Sequence, residues 1–198
     1  MNFKPETNYK LVSWDKLYRM CIKLTDQIKQ SDFRPTILVG IARGGWVIAR
    51  VLSDLLNNSN VASMLVKFYT DIYETEKKPR ITQPVSTSVK DENILLIDDV
   101  SDSGKSLRAA IEHILAKGCA SCKTATIHFK PWSITKPDFF VEETEAWIIY
   151  PHELYETLSL ITKTKVKEGQ KKGEIYQFFA SLGVDQDILG KFLDEILA

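Results

Sequence analysis

Ile94-Leu95-Leu96-Ile97-Asp98-Asp99-Val100-Ser101-Asp102-Ser103-Gly104-Lys105-Ser106-Leu107 is the stretch whose reading decides the fold. Its first four residues are apolar and mostly branched, without polar alternation, which reads as a short strand buried on both faces. Two adjacent carboxylates follow, then a turn of small polar residues. A helix is expected from about Ser106 to Lys117, with Leu107, Ala110, Ile111, Ile114 and Leu115 at spacings of three and four. Gly118 ends it. A strand feeding a loop and then a helix start makes an anion cradle, because free backbone N–H groups and the helix dipole both point at it. Ser103 and Ser106 add hydroxyl donors, Lys105 adds a charge, and Gly104 lets backbone come close. Asp98 and Asp99 repel that anion, so they need another partner nearby; ribose hydroxyls and a divalent cation suit them. The stretch is built for a sugar phosphate. Gly104-Lys105-Ser106 is not a nucleoside-triphosphate P-loop, since the glycine that motif requires five residues earlier is here Asp99.

The segment from Leu95 to Leu107 resembles the signature of the type I phosphoribosyltransferases, which bind 5-phosphoribosyl 1-diphosphate (PRPP). That signature is an apolar strand, two acidic residues, a short variable stretch, then Thr/Ser-Gly-x-Thr/Ser. The resemblance implies an α/β fold with a central, mostly parallel sheet flanked by helices, a hood, and here a small helical C-terminal extension. It implies that Asp98 and Asp99 hold the ribose hydroxyls, with Asp99 the contact to Mg2+. Ser101 and Asp102 would flank the substrate, and Ser103, Gly104, Lys105 and Ser106 would hold the 5-phosphate. Asp102 would lie beside the reacting base.

Composition agrees with a single α/β domain plus an appendage in 198 residues. Hydrophobic residues make up 44% and charged residues 26%, ordinary values for a globular protein. Lys plus Arg equals Asp plus Glu at 26 each, so no global field recruits nucleic acid or an anionic membrane. No apolar run approaches the roughly 20 residues that span a bilayer. The polar stretch Met1 to Lys10 lacks the apolar core of a signal peptide, which leads to an expected cytoplasmic location. Cys21, Cys119 and Cys122 form no disulfide framework. Cys119 and Cys122 have the spacing of a metal knuckle but no second pair to complete one, and are read as structural.

Along the chain, Tyr9 to Val12 reads as a strand and Ser13 as the cap of a helix from Trp14. Leu17, Tyr18, Cys21, Leu24 and Ile28 form its stripe. Ile37 to Ile41 is a second buried strand, followed by Ala42-Arg43-Gly44-Gly45 and a helix through Leu55. Strand, glycine turn and helix again create an anion site, with Arg43 a forked donor for phosphate oxygens. In the family this turn is the pyrophosphate loop, and Tyr9 to Leu56 is similar to the start of the bacterial xanthine–guanine members. Arg43, Gly44 and Gly45 are therefore expected on the pyrophosphate. Val61 to Tyr69 reads as a third strand. Thr70 to Asp91 is polar and long for a structureless connection; the family places a covering hood loop there.

Lys123 to Phe129 reads as a further strand, with His128 a packed strand residue, and Trp147 to Pro151 as the last. Members acting on 6-oxopurines carry a lysine at the end of one strand that donates to the base O6, and an aromatic that stacks on the ring. Lys130 and Trp147 stand at the matching positions, with the Ile148 backbone facing the base edge. An ammonium donates and cannot accept, so Lys130 suits a 6-oxo group and not the amine of adenine. Leu154 to Ile161 has a helical stripe, and Thr162 to Lys172 reads as a lysine-rich linker. Two helices follow, at about Glu174 to Ser181 and Asp185 to Leu197, giving a boundary between a domain over 1–161 and an extension over 162–198. The resemblance, which runs from about Tyr9 to His152, implies a Mg2+-dependent purine phosphoribosyltransferase in purine salvage, acting on guanine, hypoxanthine or xanthine as a homo-oligomer (dimer or tetramer). The rivals are an enzyme for adenine or another base, and a PRPP-sensing regulator without catalysis.

Overall fold

The computed structural model describes residues 8–70 and 77–198. In chain order the elements are β1 (Tyr9–Leu11), α1 (Trp14–Gln30), β2 (Ile37–Ala42), α2 (Gly44–Leu55), β3 (Val61–Thr70), β4 (Lys77–Gln83), β5 (Asn93–Ser101) and α3 (Lys105–Ala116). They continue as β6 (Ser121–Phe129), β7 (Phe139–Glu143), β8 (Trp147–Ile149), α4 (Leu154–Lys167), α5 (Lys172–Ser181) and α6 (Gln186–Leu197). The chain divides into two compact units, Leu17–Thr144 and Glu145–Ala198 together with the residues up to Lys16.

The larger unit is built on a sheet of order β4-β3-β2-β5-β6-β7. β4 runs antiparallel to β3, and the other pairs are parallel. Strands sealed on both faces carry apolar residues at every position, and Leu38, Val39, Leu95 and Leu96 at the centre are completely buried. Val39, Ile41, Ile94 and Leu96 pack with Leu107, Ala110 and Ile114 of α3 on one face. On the other face, Gly40 lies where a Cβ would press on Ala49 and on the Trp46 backbone, so α2 comes unusually close to β2. The chain leaves β2 for β3 on one side and returns to β5 on the other. In open α/β sheets such a switch point leaves a crevice at the carboxyl ends of the strands, the usual place for a ligand.

Three local readings change. The Thr70–Asp91 stretch, expected as a covering loop, is in part a strand: β4 pairs with β3 from Leu65↔Gln83 to Thr70↔Lys77. Residues 71–76 of the expected hood lie outside the described residues. The polar connection after Lys130 contains β7, an edge strand beside β6. Thr162–Lys167, expected as linker, is the last part of α4, whose buried Ile161 and Thr162 hold it to the core while Lys163 and Lys167 face outward and Lys165 lies over the Phe178 ring. The Ser13 Oγ accepts the Lys16 N–H at 3.2 Å and caps α1 as expected. His128 is fully buried in β6, with Nε2 3.7 Å from Glu142 Oε2.

In the smaller unit β1 and β8 pair in parallel, Tyr9↔Trp147 to Leu11↔Ile149. Leu158 and Ile161 of α4, Ile175 and Phe179 of α5, and Leu189 and Leu193 of α6 form one core, joined by Tyr9 and Leu11. Leu189 and Leu193 of the last helix are thus covered inside its own unit, while Ile188 and Leu197 stay exposed. The Asp185 carboxylate caps α6 by accepting from the N–H groups of Asp187 and Ile188, both at 3.1 Å. Among the described residues no helix is long and apolar enough to cross a membrane. Burial pushes the thiols of Cys21 and Cys122 up to about 12, with Cys119 and Asp138 adding to the effect at Cys122. Burial raises the Cys119 thiol as well, and thiols so rarely ionised are poor nucleophiles.

Candidate active site

Three strand ends meet at the crevice. β2 ends at Ala42 and passes through Arg43 into the N-terminus of α2 at Gly44. The Ala42–Arg43 peptide is cis. β5 ends at Ser101, and Asp102, Ser103 and Gly104 lead into α3. β6 ends at Phe129, paired with Ser101, so Lys130 follows directly beside the second loop. Two helix N-termini, with the positive ends of their dipoles, therefore open onto one edge of the sheet, and a lysine stands next to them.

The acid pair belongs to the strand rather than to the turn. Asp98 pairs with Thr126 across β5 and β6, and the ladder resumes at Val100↔His128. The Asp98 Oδ1 accepts the Asp99 N–H at 3.0 Å, and the Asp99 Oδ1 accepts the Val100 N–H at 2.8 Å. Asp99 is only 9% exposed. Loss of solvent first, and the charge of Asp99 second, push the Asp98 carboxyl well above the usual carboxylate range; the N–H groups of Asp99 and Gly45 offset part of this. Two crowded carboxylates of this kind are stabilised by a cation.

The first glycine loop lies directly against them. A Cβ on Gly44 would overlap the Asp99 carboxylate, at Oδ2 and Cγ. A Cβ on Gly45 would overlap the Ile97 carbonyl oxygen and come within 2.8 Å of the Asp98 Cα. Both glycines are needed because the backbone of this loop, unlike that of an ordinary strand–helix turn, is in contact with the next strand. Arg43 is exposed at the turn.

The second loop is stapled to the segment after β6. The Lys130 N–H donates to the Ser101 carbonyl at 3.1 Å, and the Ile134 N–H to the Ser103 carbonyl at 3.1 Å. The Thr135 Oγ1 donates to the Gly104 carbonyl at 3.1 Å. Gly104 has φ 75°, in the left-handed region. A Cβ there would overlap Ser133 Oγ and approach Thr135 N to 2.6 Å. The open side of Gly104 thus faces the 133–135 segment, not the ligand side for which its small size was first read. Ser101 also changes role. It is 1% exposed, and its hydroxyl is 2.9 Å from Ser133 Oγ and donates to the Thr135 carbonyl at 2.8 Å. Expected among the PRPP contacts, its side chain instead fixes the loop. Asp102 is exposed, and Ser103, Lys105 and Ser106 are half-buried at the start of α3.

Lys130 is 5% exposed. Its ammonium lies 5.5 Å from the centroid of the Trp132 ring, and the Trp132 Nε1–H donates to Asp102 Oδ1 at 3.1 Å. Sequence reasoning passed over Trp132, which had no signal beyond being an aromatic two residues after Lys130. Trp147 and Ile148 belong to the smaller unit, on β8, where Trp147 N–H donates to the Asn8 carbonyl at 2.7 Å.

The described residues contain no group of three or more His, Cys, Asp or Glu side chains able to hold a metal. The acid pair nevertheless fits magnesium, a hard cation often bound through one or two carboxylates with substrate phosphates and water completing the octahedron.

Comparison with known proteins identifies the fold and the family. The profile of the phosphoribosyl transferase domain matches residues 10–157. The xanthine-guanine phosphoribosyltransferase of Gluconobacter oxydans (strain 621H) is 28% identical over 153 residues, covering 76% of this chain and 88% of that protein. The crystal structure of a purine phosphoribosyltransferase from Pyrococcus horikoshii Ot3 superposes with a TM-score of 0.66 at 33% identity, over 73% of this chain and 93% of that one. The Helicobacter pylori xanthine-guanine-hypoxanthine phosphoribosyltransferase shares the fold, with a TM-score of 0.65 at 22% identity over 75% and 96% of the two chains. With two strand-to-helix turns and an acid pair at one switch point, and a domain match over most of its length, the chain belongs to the phosphoribosyltransferase family.

Proposed function

We propose that the protein transfers the 5-phosphoribosyl group of PRPP to N9 of a 6-oxopurine, releasing pyrophosphate and forming the nucleoside 5-monophosphate. The observation that carries this reading is the contact of Gly44 with the Asp99 carboxylate. It brings the first glycine loop against the acid pair, and the second loop follows on the same strand, an order that supports a ligand built like PRPP. The names of the Gluconobacter oxydans and Pyrococcus horikoshii relatives support a purine as acceptor.

In this reading the bond from C1 to the pyrophosphate oxygen breaks as N9 attacks from the opposite face. C1 gains oxocarbenium character and negative charge collects on the leaving group. Arg43 and the N–H groups at the start of α2 stabilise that charge. Ser103, Lys105, Ser106 and the backbone at Gly104 hold the 5-phosphate. Asp102 takes or shares the proton at N7 as the base becomes nucleophilic. Lys130 donates to O6, which favours guanine, hypoxanthine or xanthine. Stacking by Trp147 and the base-edge contact of the Ile148 backbone remain part of the proposal, as does a homo-oligomeric, cytoplasmic enzyme. Mg2+, held through Asp99, would neutralise charge on the PRPP oxygens.

Calorimetry with PRPP alone tests the metal and the sugar-phosphate site together. PRPP is expected to bind at least about tenfold more weakly once magnesium is chelated, and Asp99→Asn is expected to remove most of that dependence. Equal PRPP binding with and without magnesium contradicts the metal assignment, and no PRPP binding under either condition contradicts the function.

A further inference from the structure

The segment that follows β6 does more than present Lys130. Between Lys130 and Thr135 it is bonded to the Ser101–Gly104 loop by the backbone and hydroxyl contacts described above, so its crest is held against the loop that carries Asp102. Trp132 stands at that crest, 54% exposed. An exposed tryptophan is a poor choice for packing, because much of its apolar surface stays in water. Its contacts are with polar groups: the indole Nε1–H donates to Asp102 Oδ1 at 3.1 Å, and the ring faces the Lys130 ammonium at 5.5 Å. One side chain thus touches both groups that the functional reading assigns to the base.

We propose that Trp132 is a positioning residue for purine transfer: its indole N–H fixes the Asp102 carboxylate by one oxygen and leaves Oδ2 to meet the base, while its ring steadies the Lys130 ammonium. The proposal rests on the functional reading given above. Asp102 is exposed on a turn, and a carboxylate so placed is otherwise free to rotate about two side-chain torsions and to be solvated in several orientations. A directional donor on a second segment, itself bonded to the loop that carries Asp102, removes that freedom before the substrate arrives, which is how supporting residues raise turnover without touching the reacting atoms. A rigid indole with one donor suits this better than a lysine or arginine would, since it orients the carboxylate without adding a second full charge beside Lys130.

The test is a double-mutant cycle with a spectroscopic arm. Trp132→Phe keeps an aromatic ring near Lys130 and removes the N–H; at this exposure it is not expected to unfold the protein. It should lower kcat with a 6-oxopurine about tenfold and leave the KM for PRPP within about twofold. In an Asp102→Ala background the same substitution should cost nothing further, because there is no carboxylate left to orient. Equal losses in both backgrounds, or no loss in the wild-type background, overturn the proposal while leaving the transferase reading intact. The protein has four tryptophans. The indole N–H resonance missing from the Trp132→Phe spectrum should be the one that Asp102→Ala shifts in ligand-free, 15N-labelled protein. If that resonance stays in place, the contact does not exist and the proposal fails whatever the substrate. A wild-type protein that turns over no base overturns the functional reading, and this proposal with it.

Discussion

Asp102→Asn is expected to lower kcat by roughly two to four orders of magnitude, the usual worth of a positioned acid–base group, with little change in the KM for PRPP. Asparagine keeps the shape of the side chain and an oxygen that can accept the Trp132 indole N–H. It loses the charge and the ability to take a proton from the purine. The loop itself does not depend on that carboxylate, since its neighbours are fixed through Ser101, Ser103 and Gly104. Steady-state kinetics with separate variation of PRPP and base checks this. Comparable losses in kcat and in PRPP affinity would mean that Asp102 holds the sugar phosphate instead, and its assignment to the base would be wrong.

The second large effect is expected from Gly44→Ala, and its interest lies in the contrast with Gly45→Ala. A methyl on Gly44 collides with a carboxylate, that of Asp99, which must swing away from its bond to the Val100 N–H. A methyl on Gly45 collides with the Ile97 carbonyl oxygen and the Asp98 Cα, which are main chain of a central strand and cannot yield. Gly44→Ala should therefore cost the fold only the Asp99–Val100 hydrogen bond, about 1 kcal/mol, and cut kcat/KM for PRPP about 100-fold, the scale seen when a binding group is displaced by about an ångström. Gly45→Ala should destabilise the fold by roughly 1–3 kcal/mol, as overpacking does, visible as a lower Tm before any assay. If Gly44→Ala bound PRPP normally, Asp99 would not be part of the site.

The centre of the fold was legible because its strands are apolar throughout and each is followed by glycine or small polar residues and then a helical stripe. That pattern belongs to β2 with α2 and to β5 with α3. The two strands that escaped notice are the two edges of the sheet, β4 and β7. Edge strands are only half covered and tolerate charge and proline. Lys77-Lys78-Pro79-Arg80-Ile81-Thr82-Gln83 has one large aliphatic side chain, and Phe139-Phe140-Val141-Glu142-Glu143 ends in two acids, so neither shows a full strand pattern. The extension of β5 through Asp98 and Asp99 was hidden for a related reason. Carboxylates rarely sit in a central strand, and these do so because the neighbouring loop approaches through two glycines.

At the site, the residue types of the two phosphate turns were readable from adjacent letters. The inward turn of the Ser101 hydroxyl and the link from Trp132 to Asp102 were not. Both depend on the segment after β6 folding back across the loop after β5, a contact between positions about thirty residues apart for which local sequence carries no periodic signal. The same holds for α4 beyond Ile161: lysines at Lys163, Lys165 and Lys167 look like a solvated linker until Thr162 and Ile161 are seen to be buried.

The central claim is that one crevice takes PRPP together with a 6-oxopurine. Pyrophosphate release from PRPP and magnesium, measured with guanine, hypoxanthine, xanthine, adenine and orotate in turn, tests it most directly. The account predicts release with one or more of the three 6-oxopurines and none with adenine or orotate. Release with adenine alone would keep the PRPP site and contradict the role given to Lys130, and no release with any base would contradict catalysis itself.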